Sequence, residues 1–177
     1  MKLCKEEIKD LLKKGLIRKG KSPIACFAFY VNKNLEIAQG KPRLVVNYKP
    51  LNSILDYHAY PLPKPSTVLA QISKSKVFSK FDIKYGFWQV GIKESDKWKI
   101  SFFMPEGHYE WNIMPFGFIN APSAFQCIMD ETFEGMDDFL KKYIDDLLIH
   151  SDNIPEHIKH LKIFLQRVKE KRIVLSK

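Results

Sequence analysis

Two adjacent carboxylates, Asp145 and Asp146, interrupt an apolar run near the end of the sequence. The residues on either side, 141–144 and 147–150, are typical of two short strands joined at the acids. At about 4 Å and an effective dielectric near 20, the two charges repel each other by roughly 4 kcal/mol. A bound cation would remove that repulsion, and hard carboxylate oxygens suit Mg²⁺. The pair therefore predicts a divalent-metal site, although acid pairs also occur in ordinary turns.

A third acid, Asp82, ends a predicted strand over residues 77–83, well before Asp145 in the chain. If that strand pairs with the acid hairpin, the three carboxylates lie on two adjacent strand ends. Such a set can hold two Mg²⁺ ions about 4 Å apart, which activate an attacking oxygen and stabilise a leaving oxygen in phosphoryl transfer. Clustered carboxylates also serve metal-dependent hydrolysis, so nuclease chemistry is an alternative.

The elements around the acids are predicted from hydrophobic spacing and from helix-start signals. Asn120, followed by Ala and Pro, indicates one capped helix start, and Asn153 with Glu156 indicates another. Two such helices can cover one face of an antiparallel sheet and leave the other face open for a ligand, an α+β arrangement. The apolar stripe expected on the second helix consists of Ile158, Leu161, Phe164, Leu165 and Val168.

Further elements follow from the same signals. Gly15 ends a predicted helix, and a Pro-rich stretch predicts an extended connector. The predicted spans are a helix over 6–14, strands over 24–32 and 43–48, a connector over 60–65, a helix over 66–72, a hairpin of 98–103 with 108–113, and a final strand over 172–175.

Composition narrows the class of protein. The 177 residues predict one domain, and 45% apolar residues are enough for a core. A net charge of +9 favours a polyanionic partner, nucleic acid before membrane, and the longest apolar stretch (24–31) is too short to span a bilayer. Three cysteines without CxxC spacing favour a reducing compartment. His157 and His160 are one helical turn apart, and we expect them on a solvated face.

Three segments together resemble the catalytic motifs of reverse transcriptases. They are Asp-Ile-Lys-Tyr-Gly-Phe-Trp-Gln-Val at 82–90, Met-Pro-Phe-Gly-Phe-Ile-Asn-Ala-Pro-Ser-Ala-Phe-Gln at 114–126, and Tyr-Ile-Asp-Asp at 143–146. Residues 43–52 are similar to the upstream fingers segment, and residues 107–111 to the stretch before the second motif. The resemblance covers nearly the whole chain. Each motif alone is weak, whereas three in the right order are specific.

Within that superfamily the motifs look most like those of plant pararetroviruses, the caulimovirus group, especially the badnavirus and rice tungro bacilliform type. Ty3-like retrotransposon enzymes are the alternative. The resemblance implies a ferredoxin-like polymerase palm with a fingers subdomain. It places fingers at about residues 1–75 and 88–115, and palm at about 76–87 and 116–177. We expect the thumb and RNase H to be absent from the chain.

The resemblance implies a metal site built on the acids. Asp82 and Asp145 would ligate two Mg²⁺ ions, with Mn²⁺ as a possible substitute, and Asp146 would complete the cluster. The carbonyl of Ile83 would assist on the triphosphate side. The implied reaction is transfer of a nucleotide from dNTP to a primer 3′-hydroxyl.

It also implies contacts to the incoming nucleotide. Arg43 matches the fingers arginine that reaches the triphosphate, and a planar guanidinium suits phosphate oxygens. Its companion lysine is either Lys33 or Lys41, because the loop between them does not have the usual length.

Five further positions take roles from the same resemblance. Phe87 matches the aromatic that excludes a ribose 2′-hydroxyl and so selects deoxynucleotides. Phe116 and Gly117 belong to the turn of the nucleotide pocket, where glycine allows a close backbone approach. Tyr143 would contact the primer or template backbone, and Gln126 would lie near the template.

The implied partners are an RNA or DNA template with its primer, dNTP, and the rest of a viral polyprotein carrying thumb, RNase H and aspartic protease. We expect no membrane partner, and a location in the host cytoplasm or the virion. A second hypothesis from another class is a non-catalytic nucleic-acid-binding or structural module derived from a polymerase. Three converging acids argue against it, since a scaffold has no need of them.

Overall fold

The computed structural model describes residues 2–31 and 43–177. Its five α-helices in the described part are α1 (Lys2–Lys13), α2 (Lys49–Asn52), α3 (Pro65–Ile72), α4 (Ala121–Thr132) and α5 (Ile154–Glu170). Its strands there are β1 (Ile17–Lys19), β2 (Cys26–Val31), β3 (Arg43–Val46), β4 (Val77–Asp82), β5 (Phe102–Met104), β6 (Gly107–Trp111), β7 (Leu140–Tyr143) and β8 (Asp146–Ser151). The mixture of sheets and helices confirms the predicted α+β class.

The chain forms two compact units. The first contains Met1–Asp56 and Val90–Ile119, and the second contains Tyr57–Gln89 and Asn120–Lys177. Residues 57–75, expected in the fingers, fall in the second unit. Tyr60 explains part of this difference, because its hydroxyl donates to Asp130 of α4 at 2.9 Å. The assignment of fingers and palm to these units stays a prediction.

The first unit is built on a five-stranded sheet with the order β1-β6-β5-β2-β3. Strands β2 and β3 pair antiparallel, and β5 and β6 form a hairpin closed at Met104 and Gly107, as the sequence predicted. The parallel pairing of β2 with β5 was not predicted. The expected strand over 98–103 is wrong in its first half, because Glu94–Ile100 form a 3₁₀ helix. Its ion pairs join residues three apart, which suits a helical turn.

The second unit carries a three-stranded antiparallel sheet with the order β4-β8-β7. Phe81 of β4 packs on Phe164 of α5 with ring centroids 4.9 Å apart, and Phe133, just beyond α4, stacks on Phe164 at 5.5 Å. Leu147 and Ile149 of β8 are fully buried. The helices therefore cover the face of the sheet that carries Phe81, as the layer argument predicted.

The two predicted helix starts differ. Asn153 caps α5, with its Oδ1 accepting the backbone N–H of Glu156 at 3.0 Å, which confirms that prediction. Asn120 makes no side-chain cap on α4. Its Oδ1 instead accepts the backbone N–H of His58 at 3.0 Å, so it fastens the connector before α3.

The apolar stripe of α5 is rotated from its predicted position. Phe164 and Val168 are buried, but Ile158 and Leu165 are 48% exposed. His157 takes the remaining buried position, where its ring nitrogens hydrogen-bond with Ser79 and Ser151. The expectation of a solvated His157 is therefore wrong, because serines on the sheet give this side chain polar partners in the core.

The predicted final strand is reduced to a single bridge between Leu175 and Ile83. In the described part of the chain, no helix is both long and apolar enough to cross a membrane.

Candidate active site

The strand register brings two of the three predicted acids side by side. Asp82, the last residue of β4, pairs with Asp146, the first residue of β8, and Asp146 also pairs with Tyr143 on β7. Cross-strand partners share a face of the sheet. Asp82, Asp146 and Tyr143 thus lie on the face opposite to Phe81, away from the helices.

The remaining acid, Asp145, lies in the two-residue turn between β7 and β8. Its neighbour Ile144 has φ of 53°, the left-handed conformation that the tight turns of β-hairpins require. A β-branched residue adopts this conformation only at a cost of about 1–3 kcal/mol, and such strain tends to occur at functional sites. The acid pair is therefore held on a strained turn.

Gln126 of α4 supports that turn. Its side-chain oxygen accepts the backbone N–H of Ile144 at 2.7 Å, and its side-chain nitrogen contacts Asp130 Oδ1 at 3.2 Å and the Lys142 carbonyl at 3.4 Å. The side chain is fully buried. The template contact predicted for Gln126 stays a prediction, and the structure adds a contact with the acid turn that the sequence did not indicate.

Asp145 is also fixed from the side of the first motif. Its carbonyl accepts the backbone N–H of Ile83 at 2.9 Å. A Cβ placed on Gly86 would lie 3.3 Å from Cβ of Asp145 and 2.9 Å from the ring of Phe125. The close approach of these segments thus requires a residue without a side chain at position 86.

The same ring orients Phe87. Residues Gly86–Gln89 form a 3₁₀ helix, and Phe87 meets Phe125 edge to face with ring centroids 5.3 Å apart. Phe125 is buried. A half-buried Phe87 is thereby held one residue away from the glycine that contacts Asp145.

Lys80 provides a cation at the acids. Its Nζ lies 2.9 Å from Asp146 Oδ1. The carboxylates raise the pKa of the Lys80 ammonium, Asp146 most strongly, followed by Asp82 and Asp145. The three carboxylates therefore favour a positive charge at this edge of the sheet.

Asp82 has a neutral partner. The hydroxyl of Ser176 donates to its Oδ2 at 2.6 Å. Neither Lys80 nor Ser176 was identified from the sequence, although Lys80 stands two residues before Asp82 and alternation along a strand places both on one face.

The donor chemistry fits a hard cation, since the predicted ligands are three carboxylates and one backbone carbonyl, all of them oxygen donors. Within residues 2–31 and 43–177, no group of three or more His, Cys, Asp or Glu side chains is close enough to hold a metal ion as it stands. The metal ligation predicted for Asp82, Ile83, Asp145 and Asp146 therefore stays a prediction.

The motifs and this hairpin geometry agree with a comparison to known families. A family model of reverse transcriptases, described as RNA-dependent DNA polymerases, matches residues 30–177. The chain belongs to the reverse transcriptase family. The predicted family is thus confirmed.

Relatives of this reverse transcriptase chain include polyproteins of plant viruses. It is 43% identical to the genome polyprotein of Petunia vein clearing virus over 99% of the chain and 8% of that protein. It is also 43% identical to the enzymatic polyprotein of Cauliflower mosaic virus over 97% of the chain. The identity to the enzymatic polyprotein of Soybean chlorotic mottle virus is 43% over 98% of the chain. Each of these matches covers 25% of the viral polyprotein. The chain thus spans a quarter or less of these relatives. The predicted resemblance to pararetroviruses is confirmed, whereas these relatives do not test the narrower badnavirus or rice tungro expectation.

Solved structures support the fold. The protease-reverse transcriptase of prototype foamy virus is 25% identical with a TM-score of 0.84, over 98% of this chain and 23% of that one. A foamy viral protease-reverse transcriptase in complex with double-stranded DNA has a TM-score of 0.83 at 25% identity, over 96% of this chain and 29% of that one.

The structure describes some, but not all, of the residues predicted to contact the nucleotide from the first unit. Arg43 begins β3, where it pairs with Val31. Lys33 and Lys41 lie outside the described residues. Phe116 is exposed, and Gly117 has φ of 88°, the conformation for which glycine was expected in this turn.

Asn52 holds this turn and was missed by the sequence analysis. Its side-chain nitrogen donates to the Gly117 carbonyl at 2.9 Å, and its oxygen accepts the backbone N–H of Ile119 at 3.0 Å. A side chain that both donates and accepts fixes the two ends of the segment that carries Phe116 and Gly117.

An exposed aromatic patch on the first unit was also missed. Phe27 and Phe103 occupy paired positions on β2 and β5, with ring centroids 4.1 Å apart. Phe29 follows two residues along the same face. Phe27 is 64% exposed, so this face of the sheet presents rings to solvent instead of burying them.

Proposed function

We propose that this reverse transcriptase chain is the core of an RNA- and DNA-directed DNA polymerase that adds dNTP to a primer 3′-hydroxyl. The single observation that carries the proposal is the pairing of Asp82 with Asp146 beside the strained turn that holds Asp145. Membership in the reverse transcriptase family supports nucleotidyl transfer as the reaction of these carboxylates. The polyprotein relatives support viral genome replication through an RNA intermediate as its proposed role.

Asp82, Asp145 and Asp146 are the proposed metal-holding residues, with the carbonyl of Ile83 beside them. When bound, two Mg²⁺ ions would supply Lewis-acid chemistry that lowers the pKa of the primer hydroxyl and neutralises the leaving pyrophosphate. We expect Lys80 then to leave Asp146, because its ammonium and a divalent ion on the same carboxylate repel each other. Its ion pair is solvent-exposed and therefore weak enough to exchange.

The proposed nucleotide contacts divide by chemistry. Arg43, with Lys33 or Lys41, would bind triphosphate oxygens. Phe87 would occupy the space that a ribose 2′-hydroxyl needs, and its packing on Phe125 supports this role because a sugar filter must be rigid. The turn with Phe116 and Gly117 would line the nucleotide pocket.

The proposed macromolecular partner is a primer annealed to RNA or DNA. A net charge of +9 supports binding to phosphates. Exposed rings at Phe27, Phe29 and Phe103 suit stacking with unpaired bases, and Tyr143 is exposed beside the acids, where the primer end would lie. The remaining partners would be the other domains of a viral polyprotein, in the host cytoplasm or the virion.

One labelled primer separates this function from its alternatives. The primer, annealed to an RNA or a DNA template, is incubated with the chain, dNTP and Mg²⁺. A polymerase lengthens the primer, a nuclease shortens it, and a binding module retards it in a native gel without changing its length. We expect lengthening that is lost in Asp82→Asn and retained in Asp96→Asn, an acid of the other unit. Shortening, or retardation alone, would overturn the proposal.

A further inference from the structure

The C-terminal segment of the chain lies against the strand that carries Asp82. The backbone N–H of Ser176 donates to the Asp82 carbonyl at 2.8 Å, and that of Lys84 donates to the Val174 carbonyl at 2.9 Å. The bridge between Leu175 and Ile83 lies between these two bonds and is antiparallel. The segment is thus held against residues 82–84 by one bridge and two flanking backbone hydrogen bonds.

The side chain of Gln89 hydrogen-bonds to this segment. Its side-chain nitrogen donates to the carbonyls of Lys84 at 2.7 Å and Val174 at 2.9 Å, and its oxygen accepts the backbone N–H of Val174 at 2.9 Å. The side-chain amide of Gln89 thus both donates to and accepts from the backbone of Val174, as a neighbouring strand would. The position of Ser176 is therefore set by the backbone and by Gln89, independently of its own hydroxyl.

From this fixed position the Ser176 hydroxyl donates to Asp82 Oδ2 at 2.6 Å. We propose that Ser176 is a positioning residue for the catalytic Asp82, an inference that rests on the proposed function. An ionised carboxylate offers about four lone-pair positions, so Asp82 can accept this bond and still ligate a cation. The bond selects one orientation of a side chain that is otherwise exposed to solvent.

The two paired acids differ in how they are held. Asp146 is held by the Lys80 ammonium, whose positive charge repels a metal ion bound at the same carboxylate. Asp82 is held by a neutral donor, which does not compete by charge. Ser176 can thus keep its contact when a cation binds, without the charge repulsion that Lys80 would meet. Hydrogen bonds of this kind to ligating carboxylates orient the ligands of metal sites.

Binding of Mn²⁺ alone tests the role without any turnover. Free Mn²⁺ is followed by electron paramagnetic resonance as it is titrated with the wild-type chain, Ser176→Ala and Ser176→Thr. We expect the alanine variant to bind about tenfold more weakly and the threonine variant, which keeps the hydroxyl, to bind like wild type. Ser73→Ala is the matched control, because that hydroxyl donates to the Ala70 carbonyl. Unchanged binding by Ser176→Ala, or equal loss in both Ser176 variants, would overturn the inference.

Primer extension at increasing Mg²⁺ separates this inference from the proposed function. Ser176→Ala is expected to need about tenfold more Mg²⁺ for half-maximal extension, with the dNTP KM unchanged at saturating metal. If wild type extends the primer and Ser176→Ala shows the same Mg²⁺ dependence, the inference fails while the polymerase assignment stands. If wild type extends nothing while Mn²⁺ binding follows the expected pattern, the polymerase assignment fails while the metal-positioning role of Ser176 stands.

Discussion

The side-chain oxygen of Gln126 accepts the backbone N–H of Ile144 at 2.7 Å, in the turn that carries Asp145. This contact links the second sequence motif to the third. Ile144 is strained at φ of 53°, so the turn depends on a partner that is itself immobile. Burial inside the second unit gives Gln126 that property.

Replacing Gln126 by alanine should therefore affect both stability and activity. The N–H of Ile144 loses its partner, which costs about 1–3 kcal/mol when the group cannot reach water. We expect the free energy of unfolding, measured in urea, to fall by that amount and primer extension to fall with it. Gln166→Ala on the exposed side of α5 is the matched control and should change stability by less than about 0.5 kcal/mol. Equal unfolding curves for Gln126→Ala and wild type would show that the contact does not support the turn.

Gly86→Ala should lower activity by crowding the acid turn. The new methyl group would meet the buried ring of Phe125 at 2.9 Å and Asp145 Cβ at 3.3 Å, and overpacking of this kind costs about 1–3 kcal/mol. Gly91→Ala provides the comparison, since nothing lies within 4 Å of its added methyl. Melting temperature and extension rate check both variants. A Gly86→Ala protein as stable and active as Gly91→Ala would contradict the close approach.

The strand and the hairpin that carry the acids were predictable from the sequence. The side-chain contacts that hold these segments in place were not. The strand ending in Asp82 and the hairpin at Asp145 follow from local alternation of apolar and polar residues. The contacts of Gln126, Asn52 and Ser176 join segments far apart in the chain, and no local period indicates such a pairing. The same reason explains the parallel pairing of β2 with β5 and the rotated face of α5, since burial is decided by what packs against an element.

Phe87→Ala should relax the choice of sugar. With the ring removed, a ribose 2′-hydroxyl gains space, and we expect the preference for dNTP over rNTP in kcat/KM to fall on the order of tenfold or more. Phe78→Ala is a suitable control, because it removes an exposed ring from β4 of the same unit. Unchanged selectivity in single-nucleotide incorporation would remove Phe87 from the sugar filter.

His150 should make stability depend on pH. Burial lowers the pKa of its imidazole, helped by the charges of Lys141 and His160 and opposed by Asp152, and in the described part of the structure its Nε2 is buried without a hydrogen-bond partner. The unfolded chain then binds a proton more readily than the folded one, so stability falls as pH drops below the ordinary histidine pKa of about 6.5.

Urea unfolding at a series of pH values between about 7.5 and 5 checks this dependence. His150→Gln removes the titrating group, so its free energy of unfolding should fall less over that range than that of wild type. His58→Gln, at an exposed histidine, should keep the wild-type dependence. Parallel curves for wild type and His150→Gln would contradict the assignment.

We propose that the paired acids Asp82 and Asp146, with Asp145 in the turn, perform nucleotidyl transfer. The most direct measurement is the rate of single-dNTP addition to a primer on an RNA template in Mg²⁺, comparing wild type with Asp145→Asn and with Asp152→Asn. Asp152 is an exposed acid just beyond β8 in the same unit. We expect Asp145→Asn to lose the reaction while keeping the fold and primer-template binding, and Asp152→Asn to keep the reaction. Equal rates for Asp145→Asn and wild type would contradict it.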